Sequence, residues 1–283
     1  MAINLQRLMA LDFPERVFSY TERDTMLYAL GVGLGRHLPD ELDFVYERQL
    51  QALPTQATVI GWDDTWQEQT GMDVHQIVHG EQRVTLHRPL QAAGQVRAKL
   101  KVTQVFDKGP GRGAVVLAQT TLHDAVTGEL IATLLSTVFA RGDGGFGGPP
   151  GRGPMPHGVP DRSPDGTVVL ATRPEQALLY RLSGDRNPLH VDADFAQAAG
   201  FERPILHGLC TYGMACASVV RWACAGQARR LTHFEARFTA PVYPGDTLVT
   251  SLWRDAGVVS FRTRVAERDR VVLDHGQALL AAD

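Results

Sequence analysis

Apolar and polar positions fall into two similar layouts along the chain. Runs rich in Val, Leu, Ile, Phe and Thr predict strands over 84–86, 95–106, 114–124 and 130–140 in the first half. They predict strands over 234–238, 247–254, 258–265 and 271–279 in the second. Helical patterns precede each set, over 25–38 in the first half and over 194–199 and 209–225 in the second. Helix before antiparallel strands is the order of an α+β unit. Thr127-Gly128-Glu129 reads as the turn of a hairpin, and 89–94 matches 241–245 as a Pro-to-Gly turn before a strand. The repeated layout reads as an old duplication. Segment 209–225 is apolar on nearly every side as far as Arg221, which suits a helix buried all round. Its small residues, Gly213, Ala215, Cys216, Ala217 and Ser218, let strands approach closely, so a curved antiparallel sheet wrapping a helix is expected.

The length of 283 residues exceeds the ~100–200 typical of one domain, so two units are expected. Seven of the thirteen residues in 141–153 are glycine, and prolines continue to Pro164, which defeats helix and strand alike. The division that follows is a first unit over 1–145, a linker over 146–166 and a second unit over 167–283.

Net charge of −3 argues against a partner that is nucleic acid or an anionic membrane, because both call for a basic excess. The longest uncharged run, 204–220, is shorter than the ~20 apolar residues of a bilayer span. The N-terminal string MAINLQRLMALDFPER lacks a signal-like apolar stretch, and the C-terminal Leu280-Ala281-Ala282-Asp283 is not a Ser-Lys-Leu type address. A cytoplasmic protein is expected. Three cysteines, Cys210, Cys216 and Cys224, with no Cys-x-x-Cys, suit neither a disulfide framework nor a thiolate zinc site and read as packing residues.

Chemistry concentrates in Tyr180 to His190, YRLSGDRNPLH. Pro188 blocks a regular helix through it, so a turn can aim Asp185, Asn187 and His190 at a common point. A carboxylate, an amide and an imidazole together can hold one water. The same residues also suit local turn bonds and a cap.

This string resembles the hydratase-2 motif of the MaoC-like family, the (R)-specific 2-enoyl-CoA hydratases, at nearly every position. The resemblance extends through VHGEQ (78–82), DKGPGRGA (107–114), GGFGG (144–148), RPILHGL (203–209) and RFTAPVYPGDTL (237–248). It implies an α+β double hotdog and reversible hydration of trans-2-enoyl-CoA to (3R)-3-hydroxyacyl-CoA in β-oxidation. Asp185 and His190 match the family's catalytic pair, Asn187 its water-orienting partner, and Gly208 the residue whose N–H faces the thioester oxygen. Substrate and CoA contacts are implied at His79, Gly80, Lys108, Arg186, Pro188, Leu189 and Phe238. An acyl-CoA is the implied partner, neither a metal nor a further cofactor is implied, and a homodimer is the family expectation. Residue type alone leaves His207 a buried structural histidine, His79 a loop residue, Lys108 a solvated cation and Phe238 core. The first half lacks the catalytic string. Its counterpart, 20–30, has only Asp24, which suits an early helix position. A dehydratase acting on (3R)-hydroxyacyl thioesters is the alternative, and a hotdog thioesterase a weaker one.

Overall fold

The computed structural model describes residues 3–63, 65–73 and 76–281. Ala282 and Asp283, the end of the C-terminal string, lie outside them. The first half contributes α1 (Leu5–Met9), β1 (Arg16–Tyr20), α2 (Glu22–Gly31), α3 (Leu42–Val45), β2 (Ile77–Leu86), β3 (Gly94–Asp107), β4 (Ala114–Asp124) and β5 (Leu130–Ala140). The second contributes β6 (Gly166–Ala171), α4 (Gln176–Tyr180), α5 (Ala193–Ala198), α6 (Gly208–Ala223), β7 (Leu231–Phe238), β8 (Thr247–Asp255), β9 (Val258–Val265) and β10 (Arg270–Leu280). Strands β4, β5 and β9 take the bounds read from the sequence. Two edge strands, β1 and β6, and the short helices α1, α3 and α4 are additions to that reading.

One ten-stranded sheet runs β1-β3-β4-β5-β2-β7-β10-β9-β8-β6. Read from either edge, the order repeats: each half lays out its first, third, fourth, fifth and second strand. The duplication is therefore a pseudo-twofold arrangement, and its axis passes between β2 and β7. That join sets Glu81 opposite Arg237, Arg83 opposite Glu235 and Thr85 opposite His233. Arg83 pairs with Glu235 at 2.8 Å, Arg237 with Glu81 at 2.5 Å, and the Thr85 hydroxyl lies 2.9 Å from the His233 ring.

The α+β double hotdog holds, and the two interiors differ. In the second half α6 is packed by β6 to β10, with every residue from Leu209 to Val220 buried. In the first half the helix is shorter than expected and placed elsewhere. It stops at Gly31 because Gly33 and Gly35 take φ of +88° and +85°. It packs on α3 and α4, while the concave sheet receives the 3₁₀ turn Pro54–Thr58 and, farther along β3 to β5, Leu8, Phe13 and Trp66. Asp24 is an early helix residue, as expected: with Thr21 it forms a capping box, its carboxylate accepting from the Thr21 N–H at 2.8 Å. The closest approach of Gly213 is also to this helix region and not to a strand. A Cβ there would lie 2.5 Å from Val32 and 2.8 Å from the Tyr28 hydroxyl.

The Gly/Pro segment is held in place along its length. Asp107 accepts N–H bonds from Gly109, Gly145 and Gly147 at 2.7–2.8 Å, so one carboxylate ties the DKGPGRGA turn to GGFGG. Those bonds hold its pKa below the usual carboxylate range. Further along, Gly153 lies on Val115 and Leu117, and His157 bonds Ser260 at 2.7 Å. These residues alternate with the core-facing Val116, Ala118, Val259 and Phe261, so the segment crosses the outer face of the sheet. Among the described residues no helix is long and apolar enough to cross a membrane.

Candidate active site

After α4 the chain tightens into a turn, Arg181–Ser183, and reverses at Gly184 with φ +140° and ψ −50°, a conformation that favours glycine. A Cβ at Gly184 would also lie 3.2 Å from Trp62 of the first half. Asp185 follows, and its Oδ1 accepts the Asn187 N–H at 3.1 Å. The Asn187 side chain in turn accepts the Leu189 N–H at 3.0 Å and starts a turn over Pro188–His190. Proline suits that first position, where no N–H is needed. The local turn bonds thus exist as the residue types allow, and they aim the functional groups.

The His190 ring is buried, and its Nδ1–H donates to the Ile205 carbonyl at 2.9 Å. That bond fixes the neutral tautomer, leaving a lone pair on Nε2. Nε2 lies 3.9 Å from Asp185 Oδ2. Burial lowers the His190 pKa, against the pull of the Asp185 charge. Both facing atoms are acceptors. A water about 2.8 Å from each subtends roughly a right angle, close to the angle between its own O–H bonds.

His207 stacks on His190, with ring centroids 3.7 Å apart and planes at 27°. Its Nε2–H donates to the Asp185 carbonyl at 3.1 Å. Burial, then the neighbouring His190, pushes its pKa down to about 3. Asp185, His190 and His207 bring three ligand-type atoms within 4.8 Å of one another. Stacked imidazoles send their lone pairs out side by side and do not converge on one ion ~2.0–2.1 Å from each nitrogen.

Gly208 opens α6, and among the described residues its N–H has no acceptor. A helix N-terminus leaves such groups free with a partial positive charge. Phe238 presses on this glycine, 3.3 Å from where a Cβ would sit, and its ring is 4.9 Å from that of His79. Burial pushes the His79 pKa down to about 4. Gly80 forms a bulge between β2 and β5 where a Cβ would meet the Thr137 carbonyl at 3.2 Å.

A cavity of about 1120 Å³ connects these groups. Asp185, Asn187, Leu189, His190, Gly208, His79, Gly80, Lys108 and Phe238 all line it. Arg186 and Pro188 do not: both are exposed on the far side of their turn. From the Asp185–His190 turn the cavity runs under the first-half sheet, along Ala98, Leu100, Ala118, Leu122 and Leu134, the space a hotdog helix would occupy. Of the first-half stretch 40–66, the lining residues are Ala57, Thr58 and 60–63 with Trp66. Lys108 lies over the Phe139 ring at 5.3 Å. Arg141, Arg152 and Arg237 also line the cavity and were missed from sequence, as was the Ile205 carbonyl, whereas His207 is the buried histidine that its residue type suggested. Arg141 and Arg152, set in the Gly-rich stretch 141–153, were the available signal.

Residues 156–275 match the family described as MaoC like domain, and residues 18–142 match the MFE-2 hydratase 2 N-terminal domain. The 3-hydroxyacyl-thioester dehydratase Y of Mycobacterium tuberculosis is 44% identical over 98% of this chain and 98% of its own. Enoyl-CoA hydratase ChsH3 of the same organism is 39% identical over 100% of each chain. The crystal structure of a MaoC-like dehydratase from Phytophthora capsici superposes with a TM-score of 0.88 at 32% identity, covering 99% of both chains.

Proposed function

The chain belongs to the MaoC-like family of two-hotdog hydratases and dehydratases, and we propose that it adds water reversibly to trans-2-enoyl-CoA, giving (3R)-3-hydroxyacyl-CoA. The observation that carries this reading is the pair of facing acceptors, Asp185 Oδ2 and His190 Nε2, 3.9 Å apart beside the free N–H of Gly208. One water donates a hydrogen to each acceptor and turns its lone pair toward C3 of the substrate. As the C3–O bond forms, one O–H proton passes to the pair and from there to C2, while the C2–C3 π electrons become the C2–H bond. Charge gathers transiently on the thioester oxygen, where the Gly208 N–H stabilises it. Losing one such donor typically costs roughly 10²–10³-fold. Asn187 holds the turn that aims Asp185. The chemistry calls for neither a metal nor a redox cofactor.

Lys108, with Arg141 and Arg152 on the same cavity wall, supports an anionic carrier such as CoA. The acyl chain takes the first-half cavity. Use in β-oxidation, a cytoplasmic location and a homodimer belong to the same reading. The dehydratase direction is the second reading, supported by the printed name of the 44% identical relative.

The test is a spectrophotometric assay on crotonyl-, decenoyl- and a branched or sterol enoyl-CoA, with chiral analysis of product. Formation of (3R)-hydroxyacyl-CoA is expected. Release of free CoA without hydration overturns the reading in favour of a thioesterase, and turnover of carrier-protein thioesters alone favours a synthase dehydratase.

A further inference from the structure

Two of the three residues ahead of α6, Ile205 and His207, touch the water-holding pair, and the third fixes the segment between them. The Ile205 carbonyl accepts from His190 Nδ1 at 2.9 Å, and His207 donates to the Asp185 carbonyl at 3.1 Å. Between them Leu206 is buried, and its N–H is fixed on the Val242 carbonyl at 2.7 Å. The His207 ring also stacks on His190 at 3.7 Å, with Tyr180 against it at 4.9 Å and Tyr28 on Tyr180 at 6.0 Å. A continuous chain of ring contacts, one stacked and two tilted, therefore links the core between α2 and α4 to the catalytic imidazole. We propose that His207 is a positioning residue: held neutral and wholly buried, it braces the Asp185 backbone and the His190 ring in one geometry and sets their separation for water.

The bonding leaves His207 a single working state. A carbonyl only accepts, so Nε2 carries the proton, and Nδ1 is buried with no partner among the described residues. Protonating Nδ1 would bury an unpartnered N–H and a charge together. The residue therefore transfers no proton and touches no substrate, and it does not line the cavity. The His207 carbonyl also accepts from Cys210 and Thr211, which anchors the first turn of α6 beside Gly208. Water geometry and the start of the helix thus share one support.

The inference rests on the hydratase reading, and two isosteric variants separate them. His207→Gln places an amide N–H near the position of Nε2–H, whereas His207→Asn places it near Nδ1, out of reach of the Asp185 carbonyl. With crotonyl-CoA, H207Q is expected to keep kcat within about tenfold of wild type. H207N is expected to lose about 10²-fold, the scale of a misplaced reacting group, with KM changed by less than about twofold. Imidazole ¹⁵N spectra give a readout free of turnover: His190 stays in the Nδ1–H tautomer in wild type and H207Q and becomes a mixture in H207N. If H207N does not fold, His207→Phe, which keeps a stacking ring without the donor, carries the same expectation. Equal kcat in the Gln and donor-less variants, or a loss confined to KM, overturns the positioning role. An inactive wild type that still shows the spectral contrast overturns the hydratase reading alone.

Discussion

The two halves share a strand order and differ in what fills the sheet. In the second half α6 occupies the concave face and leaves a packed core. In the first half the Pro54–Thr58 turn covers one part of that face, Leu8, Phe13 and Trp66 cover another, and a cavity is left between the sheet and these segments. The chain after the leading edge strand differs in the same way. After β1 it continues into the ten-residue helix α2, capped by Thr21 and Asp24. After β6 the helix α4 is cut short, and Gly184, Asn187 and Pro188 turn the chain so that Asp185 and His190 face each other. Within this one chain the half that keeps a helix under its sheet carries Asp185 and His190, and the other half keeps a cavity, which the proposed function assigns to the acyl chain. A common scaffold has divided two tasks that compete for the same interior volume.

The largest expected effect breaks the catalytic side of that division. Asp185→Asn or His190→Ala is expected to fold with an unchanged Tm and to lose roughly 10²–10⁴-fold in kcat, the usual worth of a positioned acid or base. The same assay on Asp24→Asn in the first-half counterpart is expected to show no loss of kcat. Its carboxylate is committed to the Thr21 N–H and hydroxyl at 2.8 and 2.7 Å.

The spatial side is broken by refilling the first-half interior. Ala118 lies on β4, almost fully buried, and lines the cavity. Ala118→Phe is expected to reduce kcat/KM for decenoyl-CoA by about tenfold or more and to leave crotonyl-CoA within about twofold. A methylene-sized misfit in such a pocket is worth about 1–3 kcal/mol. An equal loss on both substrates would place the short acyl chain on the same path and remove the assignment of this space to chain length.

A smaller effect follows from the charge state of the pair. Burial lowers the His190 pKa from its ordinary 6.5, with Asp185 opposing. Its neutral, accepting form therefore persists as pH falls through 6.5 and is lost only below that value. The acid limb of kcat/KM is expected below pH 6.5. Asp185→Asn removes the one opposing charge, so the His190 pKa, followed by NMR titration, is expected to fall further. An upward shift would show that the carboxylate does not act on this ring.

What was legible in the sequence follows the range of each interaction. Strands β4, β5 and β9 are runs rich in Val, Leu, Phe and Thr that end at turns, so their bounds could be read. So could α6, whose burial on all sides is written in its composition. Strand β6 (GTVVLA) was hidden by the prolines before it, and the mixed RVFSY of β1 by its charges and short length. The first-half helix was read seven residues too far, although the glycines that stop it stand in the sequence. Asp185, Asn187 and His190 were legible because one eleven-residue string holds them. Arg237 and Arg152 reach the site through the β2–β7 join and the linker's path, and Trp62 through its contact with Gly184 across the two halves, none of which local pattern encodes.

The smallest change tests how tightly the two halves are fitted where α6 meets the helix region of the first. Gly213 faces Val32 and Tyr28, and a Cβ would fall 2.5 Å from one and 2.8 Å from the other. Both neighbours are almost wholly buried, so neither side chain can swing into solvent. Gly213→Ala gains helix propensity of up to ~1 kcal/mol, yet overpacking costs about 1–3 kcal/mol, so a net loss is expected. For a chain of this size each kcal/mol lowers Tm by about 2–4 °C, within reach of a thermal melt. Because α6 begins at Gly208, a displaced helix also moves the N–H beside the catalytic pair, and kcat is expected to fall with Tm. A stabilised Gly213→Ala protein would mean that the two halves are packed loosely here and that the position of α6 is set by its sheet alone.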